Sequence, residues 1–266
     1  MTEEFANYLR ATNLASNTIA SYLCAVKQFL ELYGEVTKEN IIAYKLYLIE
    51  TYKPKTVNLR IRAISCYLEF LGMEDLKVPF IKIQQKTFLE NVISEADYQY
   101  FKNCLQRDEE WYWYFVIHFM ASTGARVSEL IQIKVEHVTT GYFDLYSKGG
   151  KLRRLYIPNK LQQEALTWLG DTALSGFIFL NRYGNQISTR GIAGQLKKYA
   201  IKYGINPAVV HPHSFRHRFA KSFLERYNDI ALLADLLGHE SIETTRIYLR
   251  KTSSEQREIV DRVIDW

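Results

Sequence analysis

His211-Pro212-His213-Ser214-Phe215-Arg216-His217, followed by Leu236-Leu237-Gly238-His239 and then Thr244-Thr245 and Tyr248, is the part of the chain from which the rest is read. It ends a long interval without carboxylates. No acidic residue lies between Asp171 and Glu225, while Arg182, Arg190, Lys197, Lys198, Lys202, Arg216, Arg218 and Lys221 do. Such a window is suited to anions. Phe215, Phe219 and Phe223 recur at helical spacing, so His213 and Arg216 project near the start of one helix. That end carries the positive pole of the helix dipole and unpaired N–H groups, both of which favour a phosphate.

A phosphodiester under attack gathers charge on its non-bridging oxygens, and planar guanidinium groups stabilise that charge in bidentate geometry. Arg126 and Arg216 are the candidate forks. His213 can move a proton near neutral pH, His239 can donate to a phosphate oxygen, and Tyr248 can act as the nucleophile. This scheme needs no metal. His213 and His217 have the four-residue spacing of metal ligands, but no acidic or thiol ligand accompanies them, and Arg216 and Arg218 would repel a cation.

Thr123-Gly124-Ala125-Arg126-Val127-Ser128-Glu129-Leu130 resembles the first-arginine box of the tyrosine recombinase (phage integrase) family, and His211 to Arg216 resembles its His-x-x-Arg box. Leu236 to His239 with Tyr248 resembles the segment from histidine to nucleophile. Ser147-Lys148-Gly149-Gly150-Lys151 resembles the hairpin turn that carries the family's catalytic lysine, and Leu14 to Tyr22 resembles the opening of its N-terminal DNA-binding domain. The resemblance implies a mainly α fold: a SAM-like helical bundle over residues 1–80, a linker over 81–88, and a mixed α/β catalytic domain over 89–266 with a small antiparallel sheet and a C-terminal exchange helix.

The resemblance also implies a mechanism. Arg126 and Arg216 hold the scissile phosphate, Tyr248 attacks it to form a 3′-phosphotyrosyl link, and Lys148 protonates the leaving 5′-oxygen, with Lys151 as the second candidate. His213 assists the proton movement and His239 completes the cage. A second 5′-hydroxyl reverses the step, giving strand exchange through a Holliday junction within a homotetramer on two double-stranded DNA sites. A type IB topoisomerase, which works as a monomer, shares this chemistry. A metal-dependent nuclease, which would stop in chelator, and a DNA-binding module with a relic site are two further classes open to such a sequence. With no further N-terminal arm domain expected, a simple Xer-like or invertase-like two-domain enzyme is expected over the larger phage integrases.

Composition is consistent with this reading. Hydrophobic residues make up 47% of the 266 positions and charged residues 24%, ordinary values for a globular chain. No apolar run is long enough for a membrane span. Met1-Thr2-Glu3-Glu4 lacks signal-peptide character, so a cytoplasmic location is expected. The net charge is only +5, but Lys53, Lys55, Arg60 and Arg62 form a second acid-free cluster between Glu50 and Glu69. With Lys151, Arg190, Lys197 and Lys198 they are the candidate DNA contacts. The three cysteines, Cys24, Cys66 and Cys104, read as small core fillers. Neither a Walker sequence nor a dinucleotide fingerprint is present, and no cofactor is implied.

Helices are expected throughout the first third: one from Phe5, one capped by Ser16 or Asn17 and ending at Gly34, one over Ile41 to Ile49 capped by Thr37, and one over Lys55 to Leu71 ending at Gly72. The bundle serves as packing support or as the second arm of a DNA clamp. Ser94 begins the second domain, and Trp111 to Ala121 reads as a buried helix with His118 as a core histidine. Glu129 either steadies the site's cations or forms a surface ion pair. Tyr142–Tyr146 and Arg153–Ile157 alternate as paired strands, Phe177–Leu180 suggests a third strand, and Ser188 caps a further helix. The tail carries Ile259, Val260, Val263, Ile264 and Trp266 as an apolar stripe that either folds back or docks on a neighbouring copy.

Overall fold

Four helices, α1 (Thr2–Ala11), α2 (Ser16–Tyr33), α3 (Lys38–Thr51) and α4 (Pro54–Leu71), form the first of two compact units, Met1–Gln85 and Lys86–Trp266. The computed structural model describes residues 2–83, 91–146, 152–170, 176–250 and 253–264. The first unit is held by an aromatic-rich core in which Phe5, Leu9, Phe29, Tyr44, Leu48 and Tyr67 are buried. Burying each such side chain contributes roughly 1.5–3 kcal/mol.

Local chemistry sets the ends of these helices. The Thr37 hydroxyl accepts from the Asn40 N–H, and Gly72 takes up the left-handed conformation that stops α4. The expected side-chain cap of α2 is not formed: Ala15 occupies the cap position and Ser16 is already helical. Leu14 and Ile19, one residue before the cap and four after it, both pack on the core instead, as in a hydrophobic staple. Cys24 is exposed, so it is not the core filler expected, because the inward face of α2 is taken by Tyr22, Ala25, Val26 and Phe29. Beyond α4 the chain stays against this unit. Lys45 Nζ donates to Pro79 O (2.7 Å), and Asn58 exchanges two hydrogen bonds with the Ile81 backbone. The expected linker falls mostly outside the described residues.

The second unit contains α5 (Glu95–Arg107), α6 (Trp111–Thr123), α7 (Val127–Leu130), α8 (Val135–Thr140), β1 (Tyr142–Tyr146), β2 (Leu152–Tyr156) and α9 (Asn159–Leu169). It continues with α10 (Thr189–Lys202), α11 (Pro212–Arg226), α12 (Ile230–Leu237), α13 (Ile242–Arg246), a 3₁₀ turn Ile247–Leu249 and α14 (Ser253–Val263). Nearly every residue of α6 from Tyr114 to Thr123 is buried, as its apolar circumference requires. His118 is among them, stacked on Tyr114 and 3.9 Å from Glu164. Antiparallel β1 and β2 pair from Tyr142↔Tyr156 to Tyr146↔Leu152. The third strand is not formed among the described residues. Phe177 and Leu180 make only isolated bridges, to Lys134 and Gln186, because Gly176 and the Asn181–Gly184 turn leave too short a run between them.

Two features fix the start of α11. The buried Ser214 hydroxyl accepts from the Ile93 N–H at 2.6 Å, and the His211 ring accepts from the Ser214 N–H at 3.2 Å while its second nitrogen meets Asn91 O. At least one N–H expected to be open to a phosphate is therefore occupied by His211. A small separate cluster, Ala220, Leu224, Leu233, Leu237 and Tyr248, joins α11, α12 and the 3₁₀ turn.

Candidate active site

The site is built where the end of α6, the start of α7 and the end of α12 meet α11. Gly124 closes α6 with φ +65°, and an added Cβ there would lie 2.5 Å from the Phe219 ring, so both conformation and space demand glycine. This sharp end places Arg126 at the cap of α7. Glu129 Oε2 accepts the Arg126 N–H (2.7 Å) and Oε1 accepts from Arg126 Nη1 (2.8 Å), so one buried carboxylate orients both the backbone and the side chain of Arg126. Burial alone would push the Glu129 carboxyl up, but Arg153 and Arg126 hold it below the ordinary carboxylate value. Of the two roles open to Glu129, it therefore has the one that steadies cations.

Arg216 is buried on the inner side of α11. Its Nη1 donates to Gly124 O (2.6 Å), and its Nη2 donates to Leu237 O (2.7 Å) and lies 3.0 Å from His239 Nε2. Burial, and then Arg126, lower its pKa to about 10, so it stays cationic at neutral pH. A guanidinium cannot accept a hydrogen bond, so His239 Nε2 is the acceptor and Nδ1 carries the proton that it donates to Thr245 Oγ1 (2.8 Å). Burial, followed by Arg216, Arg126 and Arg153, pushes His239 down to about 4, consistent with this neutral tautomer. In this geometry His239 Nε2 accepts from the cage and does not donate towards it.

Tyr248 lies in the 3₁₀ turn, 7% exposed, beside two imidazoles: the His217 ring, edge-on with centroids 4.8 Å apart, and the nearly parallel His239 ring, with centroids 6.0 Å apart. His213 is exposed on the first turn of α11. An open cleft of about 620 Å³ is lined by Arg126, Glu129, Arg153, Gly238 and His239 among others. The structure thus brings Arg126, Arg216, His239 and Tyr248 into one neighbourhood. Lys148 and Lys151 lie outside the described residues.

The remaining candidate contacts are dispersed. Lys53, Lys55 and Arg62 are exposed around α4, whereas Arg60 turns inward to Gln28 and the Tyr52 ring. Arg190, Lys197 and Lys198 are exposed on α10, and Lys202 is held by Asp108 at 2.6 Å. His217 and Thr245 stand within the motifs read from the sequence but are given no role in the site there, and Arg153 is not singled out. Arg153 had a readable signal, because it shares the inward phase of β2 with Leu155 and Ile157.

A model of the phage integrase family matches residues 91–255, and the model of the phage integrase N-terminal SAM-like domain matches residues 1–76. The chain belongs to the phage integrase family. The tyrosine recombinase XerA of Pyrococcus furiosus is 32% identical to it over 98% of this chain and 92% of that protein. XerA of Pyrococcus horikoshii is 31% identical over the same shares. Among solved structures, a XerA recombinase crystal structure aligns at TM-score 0.56 and 25% identity, covering 100% of this chain and 98% of that one. A lambda integrase dimer bound to a COC′ core site shares the fold at TM-score 0.73 and 15% identity, covering 100% of this chain and 77% of that one. The chain is a tyrosine recombinase, an enzyme of site-specific DNA recombination.

Proposed function

We propose that this recombinase cuts and rejoins double-stranded DNA at paired recombination sites through a covalent 3′-phosphotyrosyl intermediate, with Tyr248 as the nucleophile. The observation that carries this reading is the placement of Tyr248 beside the Arg126, Arg216 and His239 cluster. The two guanidiniums hold the non-bridging oxygens of the scissile phosphate. Tyr248 Oη attacks phosphorus, the bond from phosphorus to the 5′-oxygen breaks, and Lys148 donates the proton that turns the leaving oxygen into a 5′-hydroxyl. His213 assists removal of the tyrosine proton. Negative charge gathering on the phosphate draws Arg216 Nη2 away from His239 and favours protonation of that imidazole, which then donates to a phosphate oxygen. Attack by the 5′-hydroxyl of a second site reverses the chemistry and passes through a Holliday junction.

Lys53, Lys55, Arg62, Arg190, Lys197 and Lys198 contact the DNA backbone in this reading, with the first unit as the second arm of a clamp. Arg60 supports Tyr52 more than it meets DNA. A solved relative, the XerH site-specific recombinase, is bound to a difH substrate, in keeping with a DNA partner. The working assembly is a homotetramer on two sites, in the cytoplasm. Among the described residues no helix is long and apolar enough to cross a membrane. The test is a nicked suicide substrate incubated with excess chelator: the intact protein forms a covalent adduct and Tyr248→Phe forms none. Adduct formation by the Phe variant, or strict metal dependence, refutes the mechanism.

A further inference from the structure

Three consecutive carbonyls at the C-terminus of α12 are each met by a different arginine. Leu236 O accepts from Arg153 Nε (2.8 Å), Leu237 O from Arg216 Nη2 (2.7 Å) and Gly238 O from Arg126 Nη2 (3.4 Å). This is the negative pole of a helix, where cations are favoured. Arg126 and Arg216 are the proposed phosphate ligands. The Arg153 side chain is 8% exposed against 38% for Arg126, and its Nε and Nη1 are both committed to acceptors of the protein, Leu236 O and Glu129 Oε1.

The partners of Arg153 are the groups that hold the rest of the cage. Its Nη1 donates at 2.8 Å to the same Glu129 Oε1 that orients Arg126. Its stem shapes the turn into His239, since a Cβ on Gly238 would collide with Arg153 Cδ. Nη2 is buried with no hydrogen-bond partner among the described residues. Burying this charge is costly, and two directed bonds from one planar fork offset that cost; a lysine, with its single ammonium, cannot reproduce them.

We propose that Arg153 is a positioning residue that sets the Arg126 guanidinium and the Gly238–His239 turn for phosphate binding, acting through Glu129 and the Leu236 carbonyl. This rests on the reading of Arg126, Arg216 and His239 as the phosphate cage. The test compares single-turnover cleavage of a phosphodiester suicide substrate with one carrying a methylphosphonate at the scissile position, which lacks the negative charge that the cage neutralises. On the phosphodiester, Arg153→Ala and Arg153→Lys cleave about 100-fold more slowly than the intact protein, the scale of a small misplacement at a reacting centre, with half-site binding unchanged. On the methylphosphonate the defect shrinks, as it does for Arg126→Ala. Should Arg153→Ala fold poorly, Arg153→Gln, which keeps a neutral donor on a stem that still packs on Gly238, is read in the same way. Wild-type cleavage by the variants, or a defect of equal size on both substrates while Arg126→Ala recovers, overturns the role of Arg153. If Arg126→Ala also fails to recover, the phosphate cage falls and this proposal falls with it.

Discussion

Burial is the first cause that pushes three imidazoles of the second unit, His118, His217 and His239, down to about 4. Each takes up a proton near 6.5 once the chain unfolds. Between those values the unfolded state binds more protons than the folded state, so stability falls as the pH is lowered through that window. Urea denaturation should therefore show a midpoint lower at about pH 5 than at about pH 7.5, and an unchanged midpoint contradicts the neutral buried imidazoles. Arg126, Arg216, His239 and Tyr248 are legible as candidates because they match the family's boxes in order and spacing; Tyr248, one of 19 tyrosines, would not stand out by its chemistry alone. His217 and Thr245 are not. Their contribution is a ring contact to Tyr248, which exists only after α11 and the 3₁₀ turn have come together, and a tautomer-setting hydrogen bond to His239, which exists only once α13 folds back on the end of α12.

Glycine geometry decides how the elements meet. Gly238 has φ +62° and no room for a Cβ beside Arg153, whereas Gly72 has φ +70° and open space. Gly72→Ala should thus cost only the backbone strain, about 1–2 kcal/mol, while Gly238→Ala adds a collision and should lower the melting temperature further. Equal melting temperatures for the two variants would show that Arg153 can give way. Ser214→Ala strands the buried Ile93 N–H and should destabilise the second unit by about 1–3 kcal/mol in denaturant titration. Most helices here are legible from period and caps, as Thr37 and Ser188 show by accepting from Asn40 and Gly191. The errors arise where tertiary packing replaces a local signal. Leu14 and Ile19 packing on the core make a cap on α2 unnecessary, and Phe177 and Leu180 find bridge partners in loops rather than a strand to join.

For the molecule as a whole, the small net charge of +5 understates its capacity to hold DNA, because Lys53, Lys55, Arg62, Arg190, Lys197 and Lys198 are exposed and lie in stretches of sequence without acids. Affinity for a half-site should fall with salt at a log–log slope of about −5 or steeper, as expected for several phosphate contacts. A slope near zero would remove the electrostatic reading. The tail reads differently in three dimensions than as a sequence pattern: Val260 and Val263 of α14 are 55% and 63% exposed, and Ile259 and Ile264 are exposed as well, so this part of the stripe is not folded into its own unit. Trp266, its last member, lies outside the described residues. Deleting residues 254–266 should leave single half-site binding intact and abolish cooperative assembly on paired sites, and tetramers formed by the truncated protein would show that the tail is not the connector. Tyr248, by contrast, is seated among Leu224, Leu233 and Leu237 of its own chain. In the proposed mechanism the nucleophile and the phosphate-holding arginines then come from one copy, and defects are not shared out between copies. Mixing Tyr248→Phe protein with Arg216→Ala protein should give no complementation at a single cleavage site, whereas a nucleophile lent by a neighbour would let two dead proteins make one live one.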